Sequence, residues 1–215
     1  MMLEELRLRV SQLLAVLPEN NLVCSTGGNV SARDPGSNFV VIKPSGVPYK
    51  DISPETLVVV DMQGNKIEGN FKPSSDTASH LYIYQKMPAI NGIVHTHSPY
   101  ATAFAAAEKP IPVVFSETAE EFGGEIPLSE FALVGDEAIG EQVVKYGSKA
   151  KAVVLRKHGI FTIGTSPEKA VNLAILAENS AFIAWLSFHL NPPAPLSEKD
   201  IQALYYRQQN VYGQN

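Results

Sequence analysis

Cysteine is nearly absent from this sequence. The 215-residue chain has only Cys24, so no disulfide within the chain can stabilise the fold. At this length a hydrophobic core is sufficient without one, and we expect a single domain over residues 1–215. A lone cysteine is compatible with a reducing compartment, and Cys24 is expected to be a small buried residue. The chain is 45% hydrophobic and 18% charged, which favours a globular fold over disorder.

Long uncharged apolar runs are also missing. The most apolar segment, residues 171–190, is interrupted by polar and charged side chains, namely Asn172, Glu178, Asn179 and His189. We therefore expect no membrane span. The N-terminus carries Glu4 and Glu5 before any apolar stretch, which is unlike a signal peptide and leads us to expect a cytoplasmic protein.

The chain has no cluster of basic residues and no common nucleotide-binding motif. Its net charge of -5 makes nucleic acid an unexpected partner. Neither a P-loop pattern nor a G-x-G-x-x-G run is present, so a nucleotide site has little support. An anionic ligand would have to be bound by local hydrogen-bond donors.

Two histidines two residues apart are the most informative feature that is present. Ile93 and Val94 favour a strand, and alternation along it would place His95 and His97 on one side, about 7 Å apart at their Cα atoms. Two imidazoles at that spacing can share a metal ion, although such pairs also occur at strand ends without a metal. His158 follows a second predicted strand, where it could be a further inward-reaching ligand.

Three loops of small residues accompany the histidines. Gly27 and Gly28 allow a tight turn whose N–H groups can face an anion, although an ordinary loop is an alternative. A second loop follows a short strand, and a third precedes a helix, whose N-terminus favours phosphate. In the third loop Asp76 is either a helix cap or a carboxylate placed for chemistry, and His80 is expected to be a packed or surface histidine.

Periodicity predicts alternating helices and strands. Short β-branched runs joined by a turn, with little room for crossover helices, imply a partly antiparallel sheet. Trp185 is expected to pack in the core. The predicted strands cover residues 39–43, 57–61, around 67, 93–97, 152–155 and 161–164. The predicted helices cover 3–17, a stretch through Leu81, Tyr84 and Gln85, 99–107, 135–146, 167–189 and the tail from 201.

Five motifs in the same order resemble the class II aldolase/adducin family over nearly the whole chain. They are Gly28-Asn29-Val30-Ser31, Lys43-Pro44-Ser45-Gly46, Pro73-Ser74-Ser75-Asp76 with His80, His95-Thr96-His97 and Lys157-His158-Gly159. The resemblance implies a three-layer α/β/α sandwich around a largely antiparallel sheet. It also implies a homotetramer with active sites at subunit contacts.

The same resemblance implies a site and a reaction. Zn2+ would be held by His95, His97 and His158, with Asp76 close to or bound to the metal. A sugar phosphate would be cleaved by retro-aldol chemistry through a metal-bound enediolate. The implied phosphate pocket consists of Gly28, Asn29, Ser45, Gly46, Ser74 and Ser75.

Two positions, Asp76 and Tyr212, favour one branch of the family, the L-ribulose-5-phosphate 4-epimerases. Asp76 stands where the aldolases of the family have glutamate, and Tyr212 resembles a catalytic tyrosine of the epimerase tail. Glu120 departs from the epimerase pattern, which has an aspartate there, but it keeps a carboxylate at that position. The candidate catalytic residues are Asp76, Glu120 and Tyr212.

Three alternatives stay open at this point. The first is an L-fuculose-1-phosphate-type aldolase that releases dihydroxyacetone phosphate. The second is a non-catalytic module as in the adducin branch. A Schiff-base aldolase using Lys43, Lys72 or Lys157 is the third, but it would leave the three histidines unexplained.

Overall fold

The computed structural model describes residues 1–212, which form one seven-stranded sheet between two layers of helices. The strand order is β4-β3-β2-β1-β5-β7-β6, and every neighbouring pair is antiparallel. The strands are β1 (Asn29–Arg33), β2 (Val40–Ile42), β3 (Val58–Val60), β4 (Lys66–Glu68), β5 (Gly92–Thr96), β6 (Ala152–Leu155) and β7 (Gly159–Gly164). The helices are α1 (Glu4–Glu19), α2 (Thr77–Lys86), α3 (Pro99–Ala106), α4 (Ser116–Phe122), α5 (Ala138–Ala150), α6 (Pro167–Leu190) and α7 (Glu198–Asn210).

Alternation along the strands divides the core between the two faces of the sheet. Val40, Val58 and Ile93 point to the face covered by α2 and α5, whereas their neighbours point to the face covered by α1 and α6. Both faces are apolar, so each needs a helical layer to exclude water. The expected α/β/α sandwich with a largely antiparallel sheet is thereby confirmed.

Two helix ends differ from the predicted ones because hydrogen bonds near them could not be predicted from the sequence. Helix α1 continues through Pro18, because proline gives up one donor only and the N–H of Asn20 still reaches the Val16 carbonyl at 3.2 Å. Helix α5 begins at Ala138 instead of residue 135, since the Asp136 side chain accepts the Ala138 N–H at 2.8 Å before the first turn.

Two expectations about burial are wrong. Cys24 is exposed, because it lies in the turn between α1 and β1. Trp185 is 42% exposed, because burial along α6 ends at Ala184, the last buried residue of the helix. Its ring packs on His189 with a centroid distance of 4.4 Å.

Among residues 1–212, α6 is the one helix long and apolar enough to cross a membrane by length and composition. In this fold it packs instead against β5, β7 and α3. Its Glu178 carboxylate accepts the N–H groups of Tyr100 and Ala101 at 2.9 and 2.8 Å, which caps the N-terminus of α3. The helix therefore has the contacts of a core helix.

Candidate active site

Three histidines converge where the end of β5 meets the start of β7. His95 lies in β5, His97 follows the end of that strand, and His158 lies in the turn from β6 to β7. Because β5 and β7 are antiparallel neighbours, the end of one strand meets the start of the other. One ring nitrogen from each histidine lies within 4.8 Å of the other two. The predicted convergence of these histidines is confirmed.

The geometry and burial of the triad suit a divalent metal. The His95 Nδ1–H donates to the Ile160 carbonyl at 3.1 Å, which leaves Nε2 free as a ligand. His158 Nδ1 is buried and has no hydrogen-bond partner among residues 1–212. Burial lowers the pKa of all three imidazoles, and that of His95 is lowered further by the other two histidines. They are therefore neutral at pH 7, the form in which imidazole binds a metal.

Gly159 leaves the space that the histidines need. A Cβ at this position would lie 2.4 Å from the Thr96 carbonyl oxygen and 2.8 Å from His97 Cδ2. Neither the backbone nor the ring has room for that atom. Glycine after His158 therefore permits the close approach of the two strand ends.

A cavity of about 410 Å³ opens in front of the histidines. Its wall is formed by three segments, residues 26–29, 43–46 and 74–76, together with the histidines and Val134. All six residues predicted to form a phosphate pocket line it. Hydroxyl groups and backbone N–H groups in these loops make the cavity suitable for an anion.

Asp76 is a buried residue that lines this cavity. It occupies the N-cap position of α2, but its carboxylate makes no capping hydrogen bond, so the simple cap interpretation is wrong. Instead it accepts the Asn29 Nδ2–H at 2.6 Å. Asn29 also donates to the Ser74 Oγ at 3.1 Å. Asn29 therefore orients Asp76 as well as lining the cavity.

Lys43 is a cavity residue that the sequence suggested only as a Schiff-base candidate. Lys43 is 1% exposed, and its Nζ donates to the Thr26 carbonyl at 3.1 Å. Burial lowers the pKa of its ammonium group. The sequence signal that could have indicated a cavity position for Lys43 is that it directly precedes Pro44-Ser45-Gly46, one of the predicted phosphate loops. Lys72 and Lys157, in contrast, are exposed and do not line the cavity.

His80 is a packed histidine, as expected. It is fully buried under the sheet, its Nδ1 hydrogen bonds with the Ser31 hydroxyl at 2.7 Å, and Ser31 in turn contacts the Tyr84 hydroxyl at 2.8 Å. Burial lowers the pKa of His80 to about 3. It is not part of the ligand cluster.

Glu120 and Tyr212 lie elsewhere on the chain. Glu120 is half-buried on α4, and Tyr212 is exposed just beyond the end of α7. Helices α4 and α7 pack against each other, so both residues belong to one helical unit. Neither residue lines the cavity in front of the histidines.

The fold and the site together indicate the class of protein. A histidine triad, a buried carboxylate and a cavity suited to an anion, on an α/β/α sandwich, are the features of a candidate metal-dependent enzyme. A family model described as "Class II Aldolase and Adducin N-terminal domain" matches residues 9–185, and the chain belongs to this family.

Two kinds of relative stand out. L-ribulose-5-phosphate 4-epimerase UlaF of Salmonella typhi is 39% identical over 202 residues, which cover 88% of each chain. A solved L-fuculose 1-phosphate aldolase superposes with a TM-score of 0.90 at 28% identity, covering 95% of this chain and 96% of that one. The L-fuculose-1-phosphate aldolase from Thermus thermophilus gives a TM-score of 0.74 at 26% identity, covering 89% and 99%.

Proposed function

We propose that the chain is a zinc-dependent sugar-phosphate enzyme that acts like an L-ribulose-5-phosphate 4-epimerase. The observation that carries this proposal is the meeting of the histidine triad, Asp76 and three donor-rich loops in one cavity. The 39% identity to an enzyme named L-ribulose-5-phosphate 4-epimerase supports the choice of substrate. A cytoplasmic location belongs to the same proposal, because phosphorylated sugars are metabolites of that compartment.

Two groups of cavity residues would have different tasks. The histidines, with Asp76, would hold zinc, which when bound supplies a Lewis acid for the substrate carbonyl and hydroxyl oxygens. The three loops of small residues would bind the phosphate through their N–H and O–H donors and through the charge of Lys43. The phosphate-binding residues would be Gly28, Asn29, Ser45, Gly46, Ser74 and Ser75.

Asp76 is the residue best placed to move a proton at this centre. It is buried beside the cavity, and the Asn29 amide fixes one of its oxygens. With that oxygen occupied, the other is available to the metal or to a substrate hydroxyl. Loss of a hydroxyl proton permits C–C cleavage, and return of the proton follows when the bond forms again.

A 4-epimerase also needs an acid/base group on each side of the aldehyde that rotates. We assign these two roles to Glu120 and Tyr212. Because neither lines the cavity of its own chain, we propose that a neighbouring subunit of a homotetramer supplies them. Exposed apolar residues support such a contact, since Val134, which lines the cavity, is 52% exposed, and Phe131 and Leu133 in the same segment are 58% and 69% exposed.

A substrate panel tests this proposal. Purified enzyme with measured zinc content is incubated with L-ribulose 5-phosphate and, separately, with L-fuculose 1-phosphate. Pentulose phosphate inverted at C4 supports the epimerase, whereas dihydroxyacetone phosphate released from the ketose 1-phosphate supports an aldolase. If Tyr212→Phe left turnover unchanged, the assignment of two acid/base groups would be wrong.

The aldolase is the second candidate, and the TM-score of 0.90 to an L-fuculose 1-phosphate aldolase is the observation in its favour. A non-catalytic module is less consistent with the site, because all three histidines and the oriented Asp76 are in place. Protein purified without chelator and found free of zinc would favour that third interpretation.

A further inference from the structure

Tyr49 contacts the glycine loop of the cavity although it does not line the cavity itself. It begins the single-turn 3-10 helix Tyr49–Asp51, and its hydroxyl donates to the Gly27 carbonyl at 2.9 Å. The preceding carbonyl, that of Thr26, accepts from Lys43 Nζ. Two successive carbonyls of the loop are therefore held by side chains from the segment that follows β2.

The orientation of one carbonyl determines the orientation of the next N–H. The structure has no cis peptide among its described residues, and in a trans peptide the C=O and N–H point in opposite directions. The Gly28 N–H therefore points away from the Tyr49 hydroxyl. Gly27 and Gly28 line the cavity and Tyr49 does not, so the direction of this donor away from Tyr49 is consistent with its facing the cavity.

The Gly27–Gly28 peptide lies between two glycines, whose backbone dihedral angles are the least restricted of any residue. Gly27 and Gly28 lack Cβ atoms, and Gly28 already has a φ of 74°, which other residues adopt at a cost. Without an anchor the peptide could rotate and present its carbonyl oxygen to the cavity. A carbonyl there would repel an anion, whereas an N–H would bind it.

We propose that Tyr49 is a positioning residue of the phosphate site, whose hydroxyl holds the Gly27–Gly28 peptide with its N–H toward the substrate phosphate. The inference rests on the proposed function, because it takes the ligand of this wall to be a phosphate. Burial raises the pKa of Tyr49, so the hydroxyl stays protonated and remains a donor at every pH at which the enzyme would be assayed.

A role in packing alone makes a different prediction. The Tyr49 ring packs against the apolar cluster between the sheet and α1. Tyr49→Phe keeps that ring and removes only the hydroxyl. If packing were the whole role, this variant would bind phosphate as the wild type does.

The test compares zinc-loaded wild type with Tyr49→Phe. We expect the Kd for inorganic phosphate and the KM for L-ribulose 5-phosphate to rise about five- to thirtyfold, the range for loss of one hydrogen bond to a partly buried carbonyl. We expect kcat to change less than about twofold and zinc content to stay constant. With unphosphorylated L-ribulose, kcat/KM of the variant should equal that of the wild type.

Thr162→Val is the matched control. The buried Thr162 hydroxyl also donates to a backbone carbonyl, that of Ala170, at 2.8 Å, but it lies on the sheet face that packs against α6. We expect this variant to lose stability without any change in phosphate affinity. Equal effects of the two variants on phosphate binding, or no effect of Tyr49→Phe, would overturn the inference.

A third variant separates this inference from the proposed function. Ser75→Ala removes a hydroxyl that lines the same wall. If Ser75→Ala weakens phosphate binding and Tyr49→Phe does not, only the role of Tyr49 is wrong. If the wild type binds no phosphate at all, the assignment of this wall and the role of Tyr49 are both wrong.

Discussion

Acid should destabilise the metal-free protein through His80. This imidazole is fully buried, and burial lowers its pKa to about 3, compared with about 6.5 in an unfolded chain. As the pH falls through 6.5, the unfolded state takes up a proton that the folded state does not. Stability is therefore lost as the pH decreases, over a window from about 6.5 down to about 3.

The expected loss from this one group is about 2 kcal/mol between pH 7 and pH 5, at about 1.4 kcal/mol per pH unit below the unfolded pKa. The variant His80→Asn isolates it. Asparagine can still reach the Ser31 hydroxyl, which now bonds with His80 Nδ1, but it does not titrate. The variant should be less stable at pH 7, and its stability should depend less steeply on pH.

Urea unfolding in the presence of a chelator, at equal protein concentration and at several pH values from 7 to 5, measures both slopes. Titrating groups distant from His80 contribute equally to the two proteins, so the difference in slope belongs to His80 and its interactions with Asp76 and His95. Identical slopes for wild type and His80→Asn would refute the buried neutral state of this histidine.

Three further substitutions test the catalytic carboxylate, the space around the histidines and the cap of α3. Asp76→Asn should lower turnover at least about a hundredfold and leave zinc bound, because three histidines remain; turnover above a tenth of wild type would contradict its role. Gly159→Ala should weaken zinc binding about ten- to a hundredfold in a chelator competition, since its Cβ would lie 2.8 Å from His97 Cδ2, and an unchanged affinity would contradict that geometry. Glu178→Ala should cost about 1 to 2 kcal/mol in urea unfolding by uncapping α3, and an unchanged midpoint would refute the cap.

The sheet and the site were predictable to the extent that local patterns encode them. The β-branched runs predicted every strand except β1, and the family resemblance predicted that His95, His97 and His158 share a site. Alternation along β5 supplied the shared side of the first two. The third histidine depended on the pairing of β5 with β7, which only the family resemblance suggested.

Other features depend on tertiary contacts that local sequence does not encode. The burial of Lys43 and its bond to the Thr26 carbonyl arise from the meeting of two loops far apart in the chain. Likewise, the Asp76 carboxylate bonds with Asn29 across the sheet edge instead of capping its own helix. Trp185 was assigned to the core from helical periodicity, but that periodicity does not show where burial along α6 ends.

The most direct test of the proposed function is the configuration at C4 of pentulose phosphate recovered from L-ribulose 5-phosphate, measured by NMR for zinc-loaded enzyme and for enzyme stripped by chelator. We predict inversion at C4 with the zinc-loaded enzyme, none after stripping, and recovery when zinc is returned. Equal inversion without the metal, or unchanged L-ribulose 5-phosphate with fully zinc-loaded protein, would contradict it.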